Sequence, residues 1–223
     1  MWTFTADSLI NTQVHLFTNH LNQENELCFQ DNNQQLYLIS ATGNLIWKKN
    51  INEIIQSDIY TVDIFKNGKL QLLFNTENYL HLIDRNGNEV QGFPVKLPSK
   101  VTSNLTLLDY EGNKDYRLFL ACADKRIYNF SLYGVKTEGF VPFKTDDVVT
   151  LPIKYIRVGA SDYLMTADVE GKIYAFSRKG EGRIDFKNKT IGNLNHLYVL
   201  GGNNLDNTKL IYVDDKDNLL NKI

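Results

Sequence analysis

Acidic and amide side chains recur along the chain at the heads of short turns, where their oxygen atoms could bind a cation or a basic partner. They are Asp31, Asn75, Asp124, Asp168 and Asp215. Each precedes a short apolar run, so equivalent runs would bring these side chains to one side of a repeated structure. The alternative is structural, because Asp and Asn at the head of a turn accept hydrogen bonds from backbone N–H groups two residues on. The sequence favours the structural interpretation.

The segment DYEGNKDY has oxygen donors at alternate positions, and calcium is bound in proteins by such donors on a tight turn. The donors are Asp109, Glu111, Asn113 and Asp115. A calcium loop of this kind also needs a glycine at its sharpest point, whereas Lys114 occupies that place here and Gly112 comes too early. We therefore predict a solvated hairpin turn with no bound metal.

Lysines open the segments that would link one repeat to the next. They are Lys48, Lys96, Lys144 and Lys187. Beside the acidic turns they would form a rim of mixed charge, which suits a protein or a polar ligand as partner. The alternative is that these lysines protect exposed edge strands from pairing with another chain.

The elements that position these residues follow from a repeat of about 46 residues. Turn glycines lie 44, 47 and 46 positions apart, at Gly43, Gly87, Gly134 and Gly180. Each is followed by an aromatic residue, at Trp47, Phe93, Phe140 and Phe186. A period of this length that holds four short strands, here named A to D, is typical of a β-propeller blade. The sequence thus predicts an all-β protein and a β-propeller fold.

Ring closure is predicted from the two ends of the chain. Trp2 lies 45 positions before Trp47, in phase with the aromatic residues of strand D, while the last repeat stops inside strand C. Residues 1–6 are therefore expected to supply strand D of the last blade. This gives five four-stranded blades in one domain, residues 1–223, with blades at about 11–48, 56–97, 101–143, 148–186 and 193–223. The competing interpretation is a fragment of a larger propeller.

Composition excludes several classes of function. The formal charge of −2 provides no basic field for nucleic acid, and no run of 18 apolar residues could span a membrane. Cys28 and Cys122 are expected to be buried thiols. No catalytic motif is found, and His81 takes the place of Tyr37, Tyr128 and Tyr174, which indicates packing. We expect a monomer without a cofactor.

Two segments carry a resemblance to known repeats. SATGNLIW, with Thr42, Gly43 and Trp47, resembles the Thr-Gly-x-x-x-Trp docking motif of quinoprotein-like (PQQ-like) propeller repeats. GNEVQGFP resembles the Gly-Phe-Pro strand of bacterial FG-GAP-like repeats. The resemblance implies a non-enzymatic relative of these proteins. It favours an extracytoplasmic location, in the periplasm or at the cell surface, and a cytoplasmic location is left open.

These observations predict a non-catalytic binding or scaffold module. Its protein or polar ligand is expected at the face formed by the turns between strands B and C and by the connections from strand D to the next strand A. The alternative is a propeller enzyme, either quinone-dependent or active on carbohydrates. Such an enzyme would need convergent carboxylate, histidine or arginine side chains at one point where the repeats differ.

Overall fold

The computed structural model describes residues 1–185, 198–200, 207–213 and 219–222, and no α-helix occurs among them. The chain divides into two compact units. Unit 1 comprises Met1–Pro98, Asp109–Tyr116 and Leu132–Gly134, and unit 2 comprises Ser99–Leu108, Arg117–Ser131 and Val135–Ile223. Each unit is built from antiparallel sheets whose strands are neighbours in the order in which they occur in the chain.

Unit 1 contains sheets 1 and 2, each with four strands. Sheet 1 consists of β1 (His15–Thr18), β2 (Asn25–Gln30), β3 (Gln35–Ile39) and β4 (Leu45–Asn50). Sheet 2 consists of β5 (Tyr60–Val62), β6 (Gln71–Asn75), β7 (Tyr79–Asp84) and β8 (Val95–Lys96).

Unit 2 contains the strands of sheets 3, 4 and 5. Sheet 3 consists of β9 (Thr106–Leu108), β10 (Arg117–Cys122), β11 (Arg126–Ser131) and β12 (Phe143–Lys144). Sheet 4 consists of β13 (Lys154–Val158), β14 (Ser161–Ala167), β15 (Ile173–Phe176) and β16 (Gly182–Ile184). Sheet 5 has three strands, β17 (Tyr198–Leu200), β18 (Lys209–Val213) and β19 (Leu219–Lys222).

The two middle strands of each four-stranded sheet are buried on both faces, as their continuous apolar runs predict. All five residues of β6 and all four of β15 are buried, whereas every residue of the outer strand β4 is at least partly exposed. In unit 1, one apolar cluster joins Phe17 and Leu38 of sheet 1 to Leu72 and Phe74 of sheet 2. Stacked sheets with both faces covered explain this pattern.

In sheet 1 and in sheet 2, a tryptophan from an earlier part of the chain packs on the turn between the third and fourth strands. Gly87 has a φ of +85°, and a Cβ added there would lie 3.1 Å from the Trp47 ring. The Trp47 Nε1 donates to the Arg85 carbonyl oxygen at 2.7 Å. Trp2 repeats this contact on Gly43, where its ring leaves no space for a Cβ. Glycine is therefore required at both turns, for its conformation and for the close approach of the ring.

The all-β architecture with four-stranded antiparallel sheets is confirmed, and the described part of the chain contains four such sheets. Residues 1–6 contain no strand, so the strand predicted there is not observed. These residues are held by side chains: Trp2 packs on Gly43, and the Phe4 ring meets Phe29 and Tyr37 edge-on at 6.2 and 5.9 Å. Ring closure in five blades, and the blade boundaries, stay predictions.

Candidate functional site

The turn between β2 and β3 is organised by Asp31, which is fully buried. Its Oδ1 accepts the backbone N–H groups of Asn33 and Gln35 at 2.9 and 3.0 Å. Its Oδ2 accepts the Tyr37 hydroxyl at 2.8 Å, and that hydroxyl in turn accepts the Asp7 N–H at 3.1 Å. Burial, followed by the nearby carboxylates, raises the pKa of Tyr37 to about 12. The tyrosine thus fastens the turn to the segment that enters sheet 1.

Sheet 4 repeats this arrangement with different residues. The Oδ1 of Asp168 accepts the N–H groups of Glu170 and Lys172 at 3.0 and 2.9 Å. Its Oδ2 accepts the Tyr174 hydroxyl at 2.7 Å, and the Asp146 N–H donates to the same hydroxyl at 2.8 Å. Both oxygens of Asp31 and of Asp168 thus accept hydrogen bonds from their own turn and tyrosine. A role of the acidic series in binding a partner stays a prediction.

Sheet 3 keeps the tyrosine with a smaller change. The Tyr128 hydroxyl donates to the Asp124 Oδ2 at 2.6 Å, and the Arg126 side chain approaches the same oxygen at 3.3 Å. The fifth member of the series, Asp215, lies outside the described residues.

In sheet 2, His81 takes the place of the tyrosine. Asn75, which was predicted to head the turn, pairs with Leu80 as Gln30 pairs with Leu36, so Thr76 lies where Asp31 lies in sheet 1. The His81 ring stacks on Phe74 at 5.1 Å, as the Tyr37 ring stacks on Phe29 at 5.2 Å. The packing role predicted for His81 is therefore present. The imidazole is shorter than a phenol, however, and its Nδ1 lies 3.0 Å from the Glu89 Oε1.

A cleft of about 550 Å³ borders His81. It is lined by Lys49 of β4, Glu53 of the segment between β4 and β5, Tyr79 and His81 of β7, and Glu89 of the following turn. His81 is 5% exposed. Within the described part of the chain, its Nε2 and the Glu89 Oε2 are buried atoms without a hydrogen-bond partner.

Two carboxylates and one ammonium group set the charge of this cleft. The Lys49 Nζ donates to the Gly87 carbonyl oxygen at 3.1 Å and lies 3.7 Å from the Glu89 Oε1. Burial raises the pKa of Glu53, but hydrogen bonds from Thr76 and Asn78 lower it by more, so it lies below its ordinary value. Glu53 is therefore ionised at neutral pH.

The DYEGNKDY segment forms a capped turn. Asp109 accepts the N–H groups of Asn113 and Lys114 at 3.1 and 2.8 Å, and the Asn113 amide oxygen accepts the Asp115 N–H at 2.9 Å. Glu111 lies in the same exposed turn. In the described ranges, no group of three or more His, Cys, Asp or Glu side chains could hold a metal ion. The turn is thus built from its own hydrogen bonds.

The predicted lysines lie in the outermost strands of their sheets rather than in the connections that follow. Lys48 belongs to β4, Lys96 to β8 and Lys144 to β12, and all three are exposed. Lys48 also forms an exposed ion pair with Asp7 at 2.6 Å. Lys187 lies outside the described residues. This placement agrees with edge protection as well as with a binding rim.

Glu53 and Glu89 were missed by the sequence reasoning. The replacement of the repeated tyrosine by His81 was a usable signal. Glu53 lies in a connection and Glu89 in a turn, and neither has a matching residue in the other repeats. Their proximity to His81 is therefore visible only in the three-dimensional structure.

Solved structures similar to this chain include BBS1N crystallised in complex with ARL6DN. The crystal soaked with lead gives a TM-score of 0.63 at 13% identity, with 96% of this chain and 69% of that chain covered. The crystal soaked with mercury gives 0.56 at 12% identity, with 96% and 78% covered. BamB from Moraxella catarrhalis gives 0.50 at 11% identity, with 88% and 60% covered. These are β-propeller-type folds.

This chain has a β-propeller-type fold. At such low identities the likeness establishes the fold alone. No family model and no curated protein matches the chain, so the resemblance to quinoprotein-like and FG-GAP-like repeats stays a prediction. Among the described residues of the propeller, no helix has the length and apolar character required to cross a membrane.

Proposed function

We propose that this propeller is a non-catalytic protein-binding module. Its partner would contact the ends of the sheets that carry the turns between the second and third strands, here called the B–C end. We also propose that the chain is related to the quinoprotein-like and FG-GAP-like propeller repeats.

Exposed apolar side chains at the B–C end of sheet 1 carry the proposal. Leu9, Ile10 and Ile54 are 77%, 49% and 41% exposed. Ile10 bridges to Asp31, and the Gln30 side chain donates to the Glu53 carbonyl oxygen at 2.9 Å, so the three residues surround the turn between β2 and β3. Irregular segments on a rigid, buried scaffold are where binding surfaces usually occur.

Two of the predicted lysines lie at the corresponding end of their own sheets. Lys96 pairs with Tyr79 and Lys144 with Arg126, both at the start of a third strand, which places the two lysines at the B–C end of their own sheets. A surface of apolar groups with interspersed charges suits a protein partner more than a nucleic acid. BBS1N, which has a similar fold, was crystallised with a protein partner, ARL6DN.

We also propose the ring of five blades, with residues 1–6 in the place of the outermost strand of the blade that contains sheet 5. The contact of Trp2 with Gly43 supports it, because it has the form of the contact that Trp47 of β4 makes with Gly87 in the next sheet.

Charge reversal at the B–C end tests the binding proposal. The variant Lys96→Glu, Lys144→Glu should remain folded, since both side chains are exposed. Lys48 is left unchanged, because it pairs with Asp7 and lies opposite Tyr37 in the middle of β3. Proteins captured by the wild-type propeller from an extract of its source cells should be lost with this variant. Lys66 and Lys69, exposed at the opposite end of sheet 2, provide the matched control by reversal to Glu.

The opposite end offers a competing surface, because Leu21 and Phe65 are 75% and 56% exposed there. If capture survives reversal at the B–C end and is lost with the Lys66→Glu, Lys69→Glu control, the proposed binding end is wrong. If both variants capture the same proteins as the wild type, the lysines do not contribute to partner binding, and protection of the edge strands is the better explanation of their positions.

A further inference from the structure

The fourth strand of sheet 1, β4, is longer than the fourth strands of sheets 2, 3 and 4. It has six residues, whereas β8, β12 and β16 have two, two and three. It is also an edge strand, because among the described residues it is hydrogen-bonded to β3 and to no other strand. Soluble proteins usually keep exposed edges short, since the unpaired backbone groups there can pair with another chain. β4 departs from this rule within its own repeat.

The register of β4 shows which of its backbone groups face outward. Ile51 donates its N–H to the Gln34 carbonyl oxygen at 3.0 Å, which marks a hydrogen-bonded pair at the end of the ladder. Bonded and non-bonded pairs alternate in an antiparallel sheet, so Lys49 bonds to β3 while its neighbours Lys48 and Asn50 do not. The N–H and C=O groups of Lys48 and Asn50 therefore point away from β3. Within the described ranges, these four groups have no hydrogen-bond partner.

The outward groups are open to solvent. Lys48 and Asn50 are exposed, whereas Trp47 and Lys49, which alternate with them, are only partly exposed. Alternate residues of a strand lie about 7 Å apart, and every extended chain presents its hydrogen-bonding groups at this spacing. The chemical structure that matches two N–H and two C=O groups in such a row is therefore the backbone of another strand.

A pocket for a side chain lies beside this edge. The cleft of about 550 Å³ that borders His81 is also lined by Lys49 and Asn50 of β4, by Tyr79 of β7 and by Pro94, which precedes β8. Successive side chains of an added strand would alternate between the two faces of sheet 1. Those on the face toward sheet 2 would reach the cleft. Peptides that bind by strand addition combine these two features, main-chain hydrogen bonds and pockets for alternate side chains.

A different protein fits this edge better than a second copy of the chain does. An antiparallel pairing of two β4 strands centred on Lys48 would place this lysine opposite its own counterpart, and like charges directly opposite each other are destabilising. The ion pair of Lys48 with Asp7 does not close the edge, because both side chains are exposed and such pairs contribute little. A lysine at this position thus hinders self-association and leaves the edge open to another strand.

We propose that the outer edge of β4 binds an extended segment of another protein by strand addition. The segment would hydrogen-bond to the backbone of Lys48 and Asn50 and place an apolar side chain in the cleft, against Tyr79 and Pro94. This surface is separate from the B–C end, since it requires only the edge of β4 and the cleft of unit 1. Either proposal can fail without the other.

The test begins with short peptides selected from a displayed random library on the wild-type protein. Amide hydrogen exchange, measured by NMR, then shows where a synthetic copy of a selected peptide binds. In the free protein the amides of Lys48 and Asn50 should exchange rapidly and that of Lys49 slowly. Saturation with the peptide should slow exchange at Lys48 and Asn50 by at least about ten-fold, because both amides become hydrogen-bonded.

Three variants separate the backbone from the side chain. Lys48→Pro removes the outward N–H and leaves the bonds to β3, since proline is tolerated on the free side of an edge strand, and it should weaken binding at least about ten-fold. Lys48→Gln keeps the N–H and should bind within about five-fold of the wild type. Lys144→Pro is the matched control and should bind as the wild type does. Thr145 donates its N–H to the Lys125 carbonyl oxygen at 3.0 Å, so Lys144 faces outward from the short strand β12 in the same way.

The proposal is overturned if no selected peptide slows exchange at Lys48 and Asn50, or if Lys48→Pro binds such a peptide as tightly as the wild type. Slow exchange of both amides in the free protein that increases with protein concentration would assign the edge to a second copy, against the proposal. If Lys48→Pro does not fold, the exchange measurement on the wild-type protein decides alone.

Discussion

Arg85→Ala should destabilise unit 1 more than the removal of any exposed ion pair. The Glu26 side chain is 3% exposed, and the Arg85 Nε lies 3.1 and 3.0 Å from its two carboxylate oxygens. The Asn19 amide donates to the same carboxylate at 3.0 Å. Without Arg85, a buried charge would keep only the amide as partner, and breaking a buried pair in this way typically costs about 3–5 kcal/mol. Arg85 is 21% exposed, so the interaction is only partly screened by solvent.

The assay is equilibrium unfolding in urea, with the free energy of unfolding compared at equal m-values. Arg126→Ala is the matched control, because Arg126 and Asp124 form a pair that is 48% and 26% exposed. That control should lose less than about 1 kcal/mol. The double variant Glu26→Gln, Arg85→Met leaves no buried charge and should recover most of the stability lost by Arg85→Ala. A loss below about 1 kcal/mol for Arg85→Ala would refute the reasoning.

Three further predictions concern the tryptophan contact, acid stability and calcium. Trp47→Phe should cost about 1 kcal/mol, the worth of its hydrogen bond, and Trp47→Ala should cost more. Trp2→Ala should cost less than Trp47→Ala, because Trp2 is 43% exposed. Urea unfolding measures all three variants, and a loss for Trp2→Ala as large as that for Trp47→Ala would contradict this ranking. Burial raises the pKa of Asp63, but hydrogen bonds, first that from Lys114, hold it below its ordinary value of 3.8. Ionised Asp63 therefore stabilises the folded protein above pH 3.8, and this contribution is lost as the pH falls through the lower pKa that Asp63 has in the folded state. The free energy of unfolding of Asp63→Asn should therefore decrease less steeply below about pH 4 than that of the wild type. Calcium at about 1 mM should leave the Tm unchanged, and a rise that disappears in Asp109→Ala would show a metal site.

The strands and turns of the sheets could be predicted because each depends on local chemistry. A glycine such as Gly87 permits the positive φ of a tight turn, and runs such as that in β6 are apolar on both faces because both faces are covered. The capping role of Asp31 was equally local, since its backbone partners lie two and four residues away. Such features need no knowledge of distant residues.

Features that join distant residues could not be predicted in the same way. Trp2 was correctly placed in phase with Trp47, but it makes its contact from a segment that forms no strand. The position of an aromatic residue within the repeat predicts where its ring packs, but it does not predict the secondary structure of the backbone that carries the ring. Likewise, the exchange at His81 was visible in the repeat, yet its meaning depends on Glu89 and Glu53, which only the folded sheets bring beside it.

Site-specific photocrosslinking tests the proposed binding surface most directly. A photoreactive amino acid is placed at Ile54, 41% exposed at the B–C end, and in a separate protein at Phe65, 56% exposed at the opposite end. After irradiation in the source cells, the Ile54 position should give a discrete crosslinked protein that the Phe65 position does not give. A discrete product from Phe65 alone, or none from either position, would contradict the account.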